Sequence, residues 1–199
     1  MGQNPLVLVG IAAGVMVVML VVLAVALRRL LYVAAPNQIL VLSGRPNRLP
    51  DGRVVGYRVV IGGRALRLPI VERADVIDGT VMTLAIRIPG AFTRAGGRID
   101  LEATASVAIS RDLMVLTNYV ERFLGRTRED VALVARETLE GALRAVAAQL
   151  TAGELESDRA KVSAVVREEA SPELAKLGLE ILSLDVGPAT PAAPTRVPH

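Results

Sequence analysis

Few residues in this chain could do chemistry. His199 is the sole histidine and the last residue, on a proline-rich stretch, so a Ser-His-Asp triad or a histidine metal site has no base or ligand to build on. There is no cysteine, which removes thiol catalysis, disulfides, palmitoylation and cysteine-based zinc sites. The sequence contains no G-x-x-x-x-G-K-[ST], G-x-G-x-x-G or G-x-S-x-G. Gly62-Gly63 lacks the flanking lysine of a phosphate loop and reads as a turn. Three acidic pairs remain: Asp75 with Asp78, Glu137 with Glu140, and Glu154 with Glu156. Charges one helical turn apart are what any solvated helix face carries. The expectation is no catalytic residue, no cofactor and no metal, hence no enzyme; a membrane-tethered enzyme or ligand-binding domain is the outside reading.

The informative segment is Leu6–Leu27, which has no charged or hydrogen-bonding side chain and is stopped by Arg28 and Arg29. As a helix it reaches roughly 33 Å, about the hydrocarbon thickness of a bilayer. Ala24-Val25-Ala26 resembles a signal-peptidase pattern, but residues 1–5 carry no Lys or Arg and the apolar run exceeds a usual signal core. A retained anchor over residues 1–31 is therefore expected. Basic residues follow it, at Arg28, Arg29, Arg45 and Arg48, and none precede it. The positive-inside rule then makes this a single-pass protein of the cell membrane whose body faces the cytoplasm. Gly10 and Gly14 form G-x-x-x-G, a spacing that lets two membrane helices approach closely.

Charge is unevenly distributed. Residues 28–73 hold nine arginines against Asp51 and Glu72, a net of +7. Residues 101–199 hold 11 basic and 15 acidic side chains, a net of −4. The basic part adjoins the anchor, and arginines beside an anionic leaflet gain on the order of 1 kcal/mol each. Only 3% of residues are aromatic, too few for a base-stacking platform, so nucleic acid is not an expected partner.

The body must be built from residues 32–187. Gln38–Gly44, Arg53–Gly63, Arg64–Ile70, Val81–Ile88 and Arg98–Ser110 read as strands. The last is the clearest, alternating Ile99, Leu101, Ala103, Ala105, Val107 and Ile109 with polar residues. Arg94–Arg98 is the turn before it. The period then changes. Ser110 is placed to cap a helix carrying Leu113, Leu116, Val120 and Phe123 and ended by Gly125. Thr127–Asp130 opens a second helix to Gln149 with a capping-box signature, and Thr151 with Glu154 repeats it ahead of a helical stretch through Glu169. Ser171-Pro172 should interrupt that pattern, Gly178 stop it, and Leu179–Val186 form a final strand. Strands, helices and one strand predict an α+β fold, mostly antiparallel sheet with packed helices. Residues 188–199, with Pro188, Pro191 and Pro194, read as a disordered tail.

The segments Ala35–Gly44, Arg58–Leu84 and Glu168–Val186 resemble the flotillin branch of the SPFH (band 7) superfamily, which also holds stomatins and prohibitins. The resemblance implies an SPFH-like domain over residues 32–187 and a membrane-anchored scaffold that self-associates into a homo-oligomer and organises a membrane microdomain. It implies membrane lipids of an anionic leaflet and an NfeD-like OB-fold membrane protein as partners. Other branches suggest the alternative of a stoichiometric adaptor for one integral-membrane client such as a protease. It further implies a tight turn at Gly62 and Gly63, a strand end at Pro69 and a helix cap at Gly178. Typical flotillins continue into a long coiled coil, and residues 188–199 carry no heptad, so lateral association is expected from the SPFH domain and the membrane helix. The +7 and −4 segments then suit a head-to-tail contact between neighbours. Raising salt should weaken self-association of the full-length chain, read by sizing; an unchanged profile would exclude that pairing.

Overall fold

The computed structural model describes residues 5–66 and 72–191, and for residues 5–8, 11, 26–34, 36 and 64–66 it describes the backbone alone. The chain divides into two units, Met1–Asp78 and Gly79–His199.

The first unit holds α1 (Pro5–Leu30) and three strands, β1 (Leu31–Arg48), β2 (Val54–Leu66) and β3 (Arg73–Asp78). They form an antiparallel sheet in the order β2-β1-β3. The run Ile39–Leu42 is buried throughout because β1 is the central strand, and Leu40 and Leu42 pack with Val60 and Ala74. Gly62 and Gly63 do not form the expected turn between two strands. Both take positive φ, 61° and 86°, and β2 continues through them to Leu66. Opposite them the register of β1 jumps between Ala34 and Ile39, so the glycines accommodate a bulge. Of the expected strand over Arg64–Ile70, residues 64–66 belong to β2, and Pro69 lies outside the described residues. β3 was not expected, because its alternation is broken by Asp75 and Asp78.

The second unit contains β4 (Met82–Phe92), β5 (Arg98–Ile109), α2 (Leu113–Phe123), α3 (Arg128–Gln149), α4 (Ala152–Ser157), α5 (Arg159–Lys176), β6 (Leu179–Val186) and β7 (Thr190–Pro191). The sheet runs β4-β5-β6, with β7 also on β5, all antiparallel. Period-two patterning translates directly into burial: Met82, Leu84, Ile86 and Ile88 join Ile99, Leu101, Ala103, Ala105 and Val107 on one dry face. Helix α3 covers β4 and α5 covers β6, each through a stripe at helical spacing, Val131, Ala135, Leu139, Leu143 and Val146 in the first and Val162, Val166, Ala170 and Leu174 in the second. The α+β, antiparallel expectation therefore holds, in two sheets.

Four local expectations are corrected. The cap of α2 is Asp112, whose carboxylate accepts from Met114 N–H at 2.8 Å; Ser110 is buried and accepts instead from Asp112 N–H. The stretch after Thr151 is two helices, divided where Asp158 leaves the helical conformation (φ −139°, ψ 72°) and caps α5 by accepting from Lys161 N–H. Ser171-Pro172 does not interrupt α5, which continues to Lys176. An interior proline costs about 3 kcal/mol, but Ala170 and Leu174 on either side are fully buried, and the helix must continue to seat them. Lastly, Thr190 and Pro191, placed in the disordered tail by composition, pair with Asp100 and Ile99, while residues 192–199 lie outside the described ones.

Gly178 ends α5 as expected. Its φ is +79°, its N–H donates to Ala175 O, and its carbonyl accepts from Ser110 N–H. A Cβ there would lie 2.3 Å from Tyr119 Cβ and 2.4 Å from Tyr119 N. Gly125, at +81° after α2, has nothing within 4 Å of its Cβ position. Gly178→Ala should therefore destabilise the second unit by about 3 kcal/mol or more, and Gly125→Ala by about 1–2 kcal/mol, in denaturant melts of the detergent-held chain. Equal costs at the two sites would refute the steric account.

Candidate membrane-facing and assembly surfaces

Helix α1 spans Pro5–Leu30, 26 residues, or about 39 Å at 1.5 Å per residue. Its described side chains, at residues 9, 10 and 12–25, are exposed, among them Met19 at 70% and Leu20 at 56%. Among the described residues no helix is long and apolar enough to cross a membrane. Gly10 and Gly14 lie one turn apart on this helix, with open space around both.

The four arginines grouped by sequence do not sit together. Arg28 and Arg29 are in the last turn of α1, with side chains outside the described residues. Arg45 and Arg48 are exposed near the opposite end of β1 from its junction with α1. At about 3.3 Å per residue, the strand separates Arg48 from Leu31 by up to roughly 56 Å of chain. Two other arginines are engaged internally. Arg53 donates to Asp51 and holds its carboxyl below the usual range, and Arg58 lies 3.6 Å from the buried carboxylate of Glu72.

At the β1–β2 hairpin tip, Leu49 is buried, and its N–H donates to Arg53 O at 2.8 Å and its carbonyl accepts from Gly52 N–H at 2.9 Å. Arg48 and Val54 are direct cross-strand partners, so their side chains share a face. Val54 is 62% exposed there. Sequence reasoning passed over it, although two valines following a turn must place one of them outward.

The three acidic pairs sit in different local settings. Thr151 N–H and its hydroxyl both donate to a Glu154 carboxylate oxygen at 2.8 Å, Glu154 N–H donates back to the hydroxyl, and Arg94 approaches at 3.4 Å. The Thr151 bonds, and more weakly Arg94, keep the Glu154 carboxyl below its ordinary 4.5. Asp75 and Asp78, three apart on β3, point to opposite faces. Glu137 and Glu140 lie a turn apart on α3, the first exposed and the second half-buried. Among the described residues no group of three or more acidic or histidine side chains is placed to hold a metal.

Among the described residues, α5 borders two clefts. One, of about 260 Å³, lies where the end of α3 meets α4 and α5; Leu150, Val162 and Val165 line it with Glu154, Asp158 and Lys161. The other, of about 450 Å³, runs between the Arg159–Arg167 face of α5 and the end of β6, where Arg167 donates to Leu182 O and Ser163 accepts from Val186 N–H.

Residues 32–196 match the SPFH domain / Band 7 family. The chain belongs to that family. It is 30% identical to the flotillin-like protein FloT of Bacillus subtilis over 157 residues, covering 77% of this chain and 31% of FloT. It is 32% identical to flotillin-1 of Homo sapiens, and equally to that of Mus musculus, over 153 residues, covering 76% of this chain and 34% of the relative. The chain thus spans about a third of the length of these relatives. It is a flotillin-like SPFH member, and the matched region contains every strand described above apart from Leu31, the first residue of β1.

The capping box supplies a pH test. A carboxyl held below its ordinary value contributes stability that is present above 4.5 and lost as the pH falls through the folded value. Thr151→Val removes the hydroxyl but keeps the backbone N–H, so the Glu154 carboxyl should titrate part of the way back toward 4.5 in an NMR pH series. An unmoved titration would show that the hydroxyl contributes nothing.

Proposed function

We infer that this chain is a membrane-anchored flotillin-like scaffold that self-associates laterally and organises a membrane microdomain or membrane-protein partners. The similarity to flotillins across three quarters of the chain carries this reading. Helix α1 is the anchor in this reading, which rests on the sequence: Leu6–Leu27 is apolar at every position, and the described side chains of the helix are exposed. Arg28 and Arg29 stop it at the cytoplasmic side, where they meet an anionic leaflet and complement the negative end of the helix dipole. The SPFH domain follows in the cytoplasm, binding and positioning partners, an NfeD-like OB-fold membrane protein among them, without catalysis.

Gly10 and Gly14 offer α1 a close helix–helix contact within that assembly. Contact of Arg45 and Arg48 with the same leaflet requires β1 to lie along the membrane surface, since the strand leads away from α1.

Gentle extraction of the full-length chain from membranes, followed by sizing and negative-stain imaging, tests the scaffold. Large multi-copy particles are expected. Monomers, dimers, or a small complex with one co-purifying membrane protein would overturn it in favour of a stoichiometric adaptor.

A further inference from the structure

The first unit ends in a knob and the second carries a socket of matching chemistry. On the β1–β2 hairpin, exposed Val54 stands directly beside Arg48 on one face, with Arg45 exposed a few residues away. Asp51, the carboxylate in this turn, is occupied by Arg53, so it leaves the tip basic. The 260 Å³ cleft of the second unit is lined by apolar Leu150, Val162 and Val165, of which Val162 is buried and Val165 partly exposed, and is large enough for one branched aliphatic side chain. Glu154 and Asp158 line it with the cation Lys161, and Arg94 reaches Glu154 at 3.4 Å from outside the lining.

We propose that the hairpin tip of one copy docks in the α3–α4–α5 cleft of a second copy, with Val54 on the apolar lining and Arg48 against the Glu154 and Asp158 carboxylates. Three observations select a second copy of this chain as the occupant. The tip belongs to the segment of net +7 and the cleft to the segment of net −4. The knob is both apolar and cationic, and the cleft is both apolar and anionic, so the two match in two independent properties. Both carboxylates are held in place by helix caps, Glu154 by Thr151 and Asp158 by Lys161 N–H, and an incoming guanidinium shares Glu154 with Arg94. Because knob and socket are different surfaces, the contact is heterologous, and each added copy presents a new knob and a new socket. This rests on the self-association proposed above and names the contact that drives it.

The test uses the full-length chain extracted in mild detergent, with each variant first shown to melt like the wild type. Arg48→Glu and Val54→Asp, made separately, alter the tip alone, and Ser157→Arg places a cation at the cleft without touching either cap. Each is expected to weaken assembly about tenfold or more, read as the concentration at which large particles dissociate. Arg48→Glu combined with Ser157→Arg restores an opposite-charge pair and is expected to regain most of the loss. Single variants that assemble like the wild type would overturn the contact while leaving self-association standing, as would a combined variant no better than its parents. A wild-type chain that is small at all concentrations would overturn both.

Discussion

The turn at Gly178 is where the second unit is locked. The chain leaves α5, reverses at a left-handed residue and enters β6, passing so close to Tyr119 of α2 that no side chain fits between them. The same peptide accepts from Ser110 at the end of β5, and Asn118 of α2 donates to Ala175 O beside it. One residue thus ties the ends of β5 and α5 and the start of β6 to the middle of α2. A β-carbon here would push α2 away from α5 or open the bond that sets the register of β6 on β5. Everything that α5 contributes, its stripe over the sheet and the clefts along its sides, depends on that approach.

The first unit obeys a different constraint. Its sheet has three strands, and only the run Ile39–Leu42 of the central one is continuously buried, while the flanking strands expose apolar residues such as Val54 and Val76. A small sheet of this kind has little interior. Its arginines divide accordingly: Arg53 and Arg58 are held by carboxylates of the same unit, whereas Arg45 and Arg48 project outward. Exposed aliphatic groups interleaved with guanidinium groups suit a surface that meets something else, whether lipid or protein.

The site-level reading follows from these frames. Of the carboxylates that looked like possible acid–base pairs, Glu154 closes a helix cap, Asp75 and Asp78 lie on opposite strand faces, and Glu137 and Glu140 lie one turn apart on α3. Glu154 illustrates the point. In sequence it is half of an acidic pair with Glu156, and in the fold it closes a capping box on Thr151 and carries an ion pair to Arg94. Its low carboxyl value records hydrogen bonds to a helix start, the normal work of an acid in a first turn.

Much of the architecture was legible from residue order because it rests on local rules. Alternation predicted β4 and β5 and even which side chains face inward, since successive residues of a strand point to opposite faces. Thr127 and Gly125 marked helix ends through backbone groups that only such residues satisfy. The family, too, was visible in the segments around Gly62, Pro69 and Gly178. What the sequence could not determine depends on partners far away in the chain. Pro172 stays inside a helix because Ala170 and Leu174 are needed against the sheet, a tertiary gain that outweighs a local penalty. β3 and β7 are strands because neighbours offer them free edges, which their own patterns do not announce. Arg28, Arg29, Arg45 and Arg48 look like one basic cluster along the chain, yet an 18-residue strand carries the last two far from the first. Proximity in sequence becomes proximity in space only where the backbone turns, and between Leu31 and Arg48 it runs extended.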